Sequence, residues 1–267
     1  MPQETYSHGH HESVVRTHAG RTAEDSAAYL LPRLSPGMDL LDVGCGPGSI
    51  TLGLAAAVAP GLATGLDASE EVVGLAALAA AERGVENVRF RAGDVYELPW
   101  PDASFDVVHA HQVLHHLADP VAALREMRRV TRPGGLVAVR EADFAAMSWY
   151  PQLPELEEWM DLYQRIARGN GAEPDGGRRL LGWALEAGFT DVDPSASSWL
   201  YATPERRREH GGSWAERVLH SAFAEQALER GLADRPALER ISAGWRRWAE
   251  DPAGWFLMPS AEILARA

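Results

Sequence analysis

Gly44, Gly46 and Gly48 sit at alternate positions directly after the apolar run Leu40-Leu41-Asp42-Val43. This spacing constrains the chain more than any other feature. The run reads as a buried strand, and a helical pattern of Ile50, Leu52, Leu54 and Ala55 opens behind the turn. Strand, glycine turn and helix N-terminus in that order let a ligand reach bare backbone where the helix begins. Glycine permits dihedrals and close contacts there that a Cβ would forbid. The usual dinucleotide fingerprint is Gly-x-Gly-x-x-Gly, whereas the order here is Gly44-Cys45-Gly46-Pro47-Gly48. The more compact turn suits a smaller ligand tail with no diphosphate to cradle. Glycine turns also end strands for structural reasons alone, so the reading needs support further along the chain.

That support comes from the alternation of elements. Thr22 with Asp25 makes a loose capping box before a first helix through Ala27, Tyr29 and Leu31. Strands are predicted at about 39–43, 63–66, 88–91, 105–110 and 136–140, with helices between most of them. Strands alternating with helices through the first 141 residues indicate right-handed βαβ units and a parallel sheet. Ligands bind such sheets at the carboxyl ends of the strands.

Three of those strand ends carry titratable residues. Asp67 ends the second strand about twenty residues after the turn, where a carboxylate accepts hydrogen bonds from a ribose diol. A helix-start acid that complements the dipole is the other reading, with Ser69 as the cap. Asp94, in Gly93-Asp94-Val95, follows the third strand. It is placed to accept from an adenine amine, with the Val95 N–H facing a ring nitrogen, or to act as a turn aspartate bonding its own backbone. His111 and Gln112 follow the fourth strand, and His115 and His116 begin the next helix. These two histidines are the candidate general bases near neutral pH, or else packed helix-start residues.

Taken together, Leu41-Asp42-Val43-Gly44-Cys45-Gly46-Pro47-Gly48, Leu66-Asp67-Ala68-Ser69, Gly93-Asp94-Val95, Val113-Leu114-His115-His116-Leu117 and Arg132-Pro133-Gly134-Gly135 resemble the class I S-adenosylmethionine-dependent methyltransferases. Within that class the chain is most similar to the small-molecule group that includes the ubiquinone/menaquinone C-methyltransferases. The resemblance covers about residues 38–141. It implies that S-adenosylmethionine is the cofactor. Gly44, Cys45, Gly46 and Gly48 would line its methionine part, and Asp67 with Ala68 its ribose. Asp94 and Val95 would take adenine, and His111 with Gln112 would pass near the methionyl tail. Tyr6 and Arg21 fall where related enzymes lay an N-terminal segment over the cofactor, and Arg21 would pair with its carboxylate.

The expected fold is α/β: a doubly wound, seven-stranded, mostly parallel Rossmann-like sheet with a helical cap, its last strand antiparallel and drawn from about 255–258. Residues 1–36 form an N-terminal lid and first helix, and 37–143 the cofactor core. Residues 144–203 give cap helices and the sixth strand, and 204–267 a helical insert and the last strand. Eight of the nine tryptophans lie after residue 140. They suit a cap over a small, partly hydrophobic methyl acceptor, though aromatics also simply knit helices together.

Bulk properties narrow the partners. A net charge of −13 argues against nucleic acid as a default partner, and Arg206-Arg207-Arg208, flanked by Glu205 and Glu209, reads as a solvated helix face. One cysteine, Cys45, precludes an intrachain disulfide and reads as a small packing residue. No run approaches a membrane span, and the polar N-terminus has no signal core, so a cytoplasmic chain is expected. His8, His10 and His11 lack the partners of a metal site, and no metal is expected. The rival functions are a nicotinamide-dependent oxidoreductase and a non-catalytic S-adenosylmethionine-binding regulator.

Overall fold

The computed structural model describes residues 18–267. Tyr6, His8, His10 and His11 lie outside the described residues. The strands are β1 (Leu40–Val43), β2 (Ala63–Asp67), β3 (Val88–Ala92), β4 (Phe105–His111), β5 (Thr131–Ala142), β6 (Ser148–Tyr150), β7 (Val192–Tyr201) and β8 (Trp255–Arg266). The α-helices are α1 (Ala23–Ser26), α2 (Ser49–Val58), α3 (Glu70–Glu82), α4 (Pro120–Val130), α5 (Pro154–Gly169), α6 (Gly176–Glu186), α7 (Pro204–His220), α8 (Ala222–Glu229) and α9 (Arg235–Glu250).

The strands form one sheet in the order β3-β2-β1-β4-β5-β8-β6, with β7 also paired to β8. Pairings from β3 through β5 are parallel, and those of β8 with β5, β6 and β7 are antiparallel. The sheet is therefore mixed and has eight strands, where seven were expected. The extra strand is β6. Ala142 pairs with Ser260 and Ser148 with Leu257, so β5 and β6 lie in succession along one edge of β8, while β7 takes the other edge from Val192 to Tyr201. A 3-10 turn at Phe144–Ala146, capped by Asp143, interrupts the row. Trp149 and Tyr150, read in sequence as cap residues, belong to this short strand.

Helices begin where local chemistry starts them. The Asp119 side chain accepts from the Ala122 N–H at 2.9 Å, and Pro120 opens α4. Thr203 with Pro204 and Asp234 ahead of Pro236 start α7 and α9 in the same way. The Thr22/Asp25 capping box is present, but α1 spans only four residues and the chain turns away after Ser26. The predicted longer first helix is absent: Leu31–Arg33, with Pro32, forms a separate 3-10 turn instead. The arginine run also differs from its reading. Arg206 and Arg208 are exposed, but Arg207 is buried and donates to the carbonyls of Ala202 and Ala249.

Apolar side chains fill both faces of the sheet. Ala23, Ala27 and Leu30 join α2 and Ala80 of α3 on one face, and α4 with Leu180 and Ala184 of α6 cover the other. A separate core lies in the second half, where α5, α7, α8 and α9 pack with β8. Its centre is aromatic. The Trp159 ring centroid is 4.6 Å from that of Trp214 and 4.9 Å from that of Trp245, both edge-on. Trp248 donates its indole N–H to the Tyr150 carbonyl at 3.0 Å, tying α9 to β6. Trp245 is fully buried. Replacing it with alanine should lower stability by about 3–5 kcal/mol in urea unfolding; a loss below about 1 kcal/mol would show that the cap is not held by this ring cluster.

Candidate active site

The glycine turn joins β1 to α2 with Gly44, Gly46 and Gly48 all at positive φ, +68°, +52° and +80°. A Cβ on Gly44 would lie 2.3 Å from Val113, whereas one on Gly46 would meet no protein atom within 4 Å. The backbone at Gly46 is thus open to a ligand, and that at Gly44 is packed against the chain after β4. Cys45 is buried, and burial pushes its thiol well above the ordinary range. Beneath the turn, Asp42 accepts from Thr51 Oγ1 of α2 and meets His109 Nδ1 of β4 at 2.7 Å.

Asp67 stands half-buried at the end of β2. Its Oδ2 accepts from the Gly46 N–H and its Oδ1 from the Ser69 N–H, each at 3.0 Å. Each oxygen keeps a lone pair for a ligand hydroxyl. Ala68 beside it is exposed, and Ser69 caps α3 through the Val72 N–H. Asp94 is exposed after β3, and its Oδ1 accepts from the Tyr96 N–H at 2.9 Å, a local turn bond. The Val95 side chain is buried with Leu66 and Leu98. The two acids and the glycine turn therefore line the carboxyl ends of three neighbouring strands.

After β4 the structure departs from the predicted helix start. His115 and His116 lie on a separate 3-10 turn, Leu114–His116, and α4 begins only at Pro120. A residue absent from the sequence reading holds this turn. Glu141, fully buried at the end of β5, accepts from the N–H groups of Val113 at 2.9 Å and Leu114 at 2.7 Å. Its other oxygen makes a short hydrogen bond with His115 Nδ1. The His115 and His116 rings lie 3.8 Å apart. A Cβ on Gly176 would lie 2.6 Å from the His115 Cβ, so the start of α6 closes the other side. Asp143, two residues beyond Glu141, grips Arg178 of α6 with both oxygens, at 2.7 and 2.6 Å.

On the other side of Gln112 lies a cationic stack. Gln112 takes a positive φ of 55° and accepts from Arg21 Nη2 at 2.9 Å. The Arg21 and Arg140 guanidinium carbons lie 5.1 and 4.6 Å from the Trp199 ring centroid. Trp199 donates to the Asp25 carbonyl at 2.8 Å, holding the N-terminal region against β7. His111 packs on Trp199, and neither of its ring nitrogens has a hydrogen-bond partner among the described residues. Burial, reinforced by Arg21 and Arg140, holds it well below the usual histidine range.

A cavity of about 150 Å³ opens beside these groups. Gln112, His115, His116 and Phe144 line it from the sheet, and Trp159, His210, Trp214 and Arg217 from the cap. His210 stacks on Tyr201 at 3.9 Å, and burial lowers it to about 3.

A glycine turn and successive carboxylates at the ends of parallel strands, beside a buried histidine at a walled cavity, suit the binding of a nucleotide cofactor. A family model described as a methyltransferase domain matches residues 34–193. An uncharacterized methyltransferase of Schizosaccharomyces pombe is 38% identical over 97% of this chain and 95% of its own length. The 27-O-demethylrifamycin SV methyltransferase of Amycolatopsis mediterranei is 40% identical over 62% of this chain and 60% of its own. The crystal structure of YcgJ from Bacillus subtilis, 22% identical, shares the fold with a TM-score of 0.59 over 90% of this chain and 97% of that one. The chain belongs to the methyltransferase-domain family and is an S-adenosylmethionine-dependent methyltransferase. No helix among the described residues is long and apolar enough to cross a membrane.

The strongest missed signal is Arg140-Glu141-Ala142-Asp143. Charged residues at the end of an otherwise apolar strand are buried only with partners, and strand ends of this kind line the site.

Two buried histidines set the acid response. His111 and His210 stay neutral in the fold where the unfolded chain, at the ordinary value of 6.5, takes up protons. The unfolded state then binds more protons below that value, so stability is fully present above it and falls as pH drops towards the folded values. Each histidine contributes a slope of up to ~1.4 kcal/mol per pH unit. Urea midpoints should therefore fall between about pH 6.5 and 5, before most carboxylates protonate; a flat profile across that window would contradict this burial.

Proposed function

We propose that this methyltransferase acts on a hydroxyl oxygen of a small, largely apolar acceptor, with His115 taking the hydroxyl proton. The pairing of His115 with Glu141 on the cavity wall carries the reading. An ionised carboxylate only accepts, so His115 keeps its proton on Nδ1 and holds a lone pair on Nε2. A neutral imidazole in that tautomer removes a proton from a hydroxyl, and the carboxylate behind it stabilises the imidazolium that results. An oxygen acceptor makes use of such a base. The likeness to a relative whose name places the methylated position on an oxygen supports the same choice. His116, half-exposed on the same cavity, is the alternative base.

When bound, S-adenosylmethionine supplies an electrophilic methyl group on a sulfonium. The residues present suit it. The open backbone at Gly46, between Gly44 and Gly48, would take the methionine part, with Cys45 packed behind. Asp67 would accept the ribose hydroxyls on its remaining lone pairs, beside Ala68. Asp94 and Val95 would take adenine. Arg21, Gln112 and His111 would face the methionyl tail, and Tyr6 is assigned to the segment covering it. The cap helices exclude water from the hydroxyl that His115 deprotonates.

Asp67→Ala should weaken S-adenosylhomocysteine binding by about 1–3 kcal/mol in calorimetry; unchanged affinity would remove the ribose assignment. The reaction itself is tested with methyl-labelled cofactor and a panel of phenols and enols. Label should enter an ether product. Glu141→Gln should turn the imidazole over, because an amide N–H facing Nδ1 moves the ring proton to Nε2. Turnover should then fall about 10²–10⁴-fold, as should that of His115→Ala, with cofactor affinity kept. Normal turnover in both, with loss in His116→Ala, would transfer the role to His116.

A further inference from the structure

We infer that Trp199 of β7 is a positioning residue for the cofactor: it fixes Arg21 where the carboxylate of the methionyl tail is received. This deepens the methyl-transfer reading and rests on its assignment of Arg21 to that tail. Both residues lie outside 34–193, the stretch that the methyltransferase-domain model matches. Their meeting is thus contributed by the chain on either side of that stretch. Trp199 holds the N-terminal region at two points. Its indole N–H donates to the Asp25 carbonyl at 2.8 Å, and its ring centroid lies 5.1 Å from the Arg21 guanidinium carbon. The backbone between those points is itself fixed. Thr22 Oγ1 accepts from the Asp25 N–H at 3.3 Å, and Asp25 Oδ1 accepts from the Thr22 N–H at 3.1 Å. Ala23 packs on Gly53 of α2, where an added Cβ would lie 2.6 Å from it. Arg21 leaves this frame one residue before the cap.

The ring is held in turn from the sheet. Trp199 pairs with Met258 of β8. Arg140 of β5, 1% exposed, places its guanidinium carbon 4.6 Å from the same ring centroid. Its Nε donates to Ser197 Oγ at 3.0 Å and lies 3.3 Å from Glu262 Oε1, whereas Nη1 and Nη2 have no hydrogen-bond partner among the described residues. A buried guanidinium in that state draws its compensation from the aromatic face, so Arg140 and the indole fix each other. His111 packs on the same ring, its centroid 5.5 Å away.

Arg21 carries its charge from this mount to the strand ends. Its Nη2 donates to Gln112 Oε1 at 2.9 Å, and Gln112 follows β4 at a φ of 55°, a conformation uncommon for a residue with a Cβ. Arg21, Gln112 and Trp199 all line the cavity that His115 lines. An arginine has much rotamer freedom to lose on binding. One that is fixed in advance turns more of its interaction with a carboxylate into affinity. Trp199 therefore acts on the cofactor through Arg21, and its effect is confined to ligands that bring a carboxylate to that guanidinium.

Calorimetry with two ligands tests this without turnover. S-adenosylhomocysteine carries the carboxylate, and S-adenosyl-3-thiopropylamine lacks only that group. The wild-type protein should bind the first about 10–100-fold more tightly than the second. Trp199→Ala should cut that ratio below about fivefold and leave affinity for the amine within about twofold. Trp199→Phe, which keeps a ring face and loses the N–H, should retain more of the ratio than Trp199→Ala. A ratio preserved in Trp199→Ala, or an equal loss for both ligands, overturns the inference, since a ring that only packs the fold does not distinguish them. Should Trp199→Ala not fold, the double-mutant cycle of Trp199→Phe with Arg21→Gln decides: coupled effects on the ratio support the inference and independent ones overturn it. The two readings fail separately. A ratio that collapses in Arg21→Gln but survives in Trp199→Ala defeats only the role of Trp199. A wild-type ratio near one, or a ratio unchanged in Arg21→Gln, defeats the Arg21 assignment and the inference with it.

Discussion

The grip of Glu141 on the turn after β4 is the interaction on which the site depends. A single carboxylate at the end of β5 accepts from three backbone N–H groups, those of Val113, Leu114 and His115, and from the His115 imidazole, and no part of its side chain is exposed. Removing one partner of such a buried charge leaves the other uncompensated, which costs about 3–5 kcal/mol in comparable cases. The cost explains why the turn is ordered. Three residues of 3-10 helix have little stability alone, yet His115 is clamped between Glu141, the start of α6 and Phe144. Asp143 extends the clamp by fixing α6 through Arg178. One tetrapeptide thus organises both walls of the reacting end.

Across the sheet the same economy recurs. Asp42 with His109 bridges β1 and β4, and Arg140 with Glu262 bridges β5 and β8 at 3.3 Å. Ser195 and Ser197 of β7 also donate to Glu262. Every member of this polar row is on a strand, held in register by the ladder, so its charges meet without loss of side-chain freedom in long loops. The row ends at Trp199, between two guanidiniums, which draws the N-terminal region over the strand ends. Arg140 is buried deeply enough that desolvation lowers its affinity for its proton, against the pull of Glu262.

How much of this was legible follows from whether an interaction is local. The glycine turn, Asp67 with Ser69, and the Thr22/Asp25 box are short-range signals, and each is present in the structure. The antiparallel direction of the last strand was legible from its place in the fold class, but not its length. The alternating burial of β8 from Trp255 to Arg266 is visible only once β5, β6 and β7 are known to flank it. Glu141 was illegible for a related reason. Its backbone partners lie up to 28 residues away, and a charged residue in isolation reads as solvent-facing. His115 does lie close to the end of β4, but on a separate 3-10 turn and not on the helix expected there. Pro120 and Asp119 start α4 after it rather than around it.

The two halves of the site use different atoms, and this has a consequence for how the protein recognises its ligands. On the proposed reading, the cofactor side would work through backbone at Gly46 and through carboxylates whose orientation the strand ends fix. Gly44 tolerates little change, because a Cβ there would meet the Val113 side chain on the turn after β4. The acceptor side would work through side chains of α5 and α7, which are packed into an aromatic core of their own. Trp159 serves that core with one ring edge and the cavity with another. A substitution that reshapes the cavity therefore disturbs cap packing before it reaches the cofactor. On this reading acceptor choice would be coupled to the packing of the cap, and use of the methyl donor to the sheet.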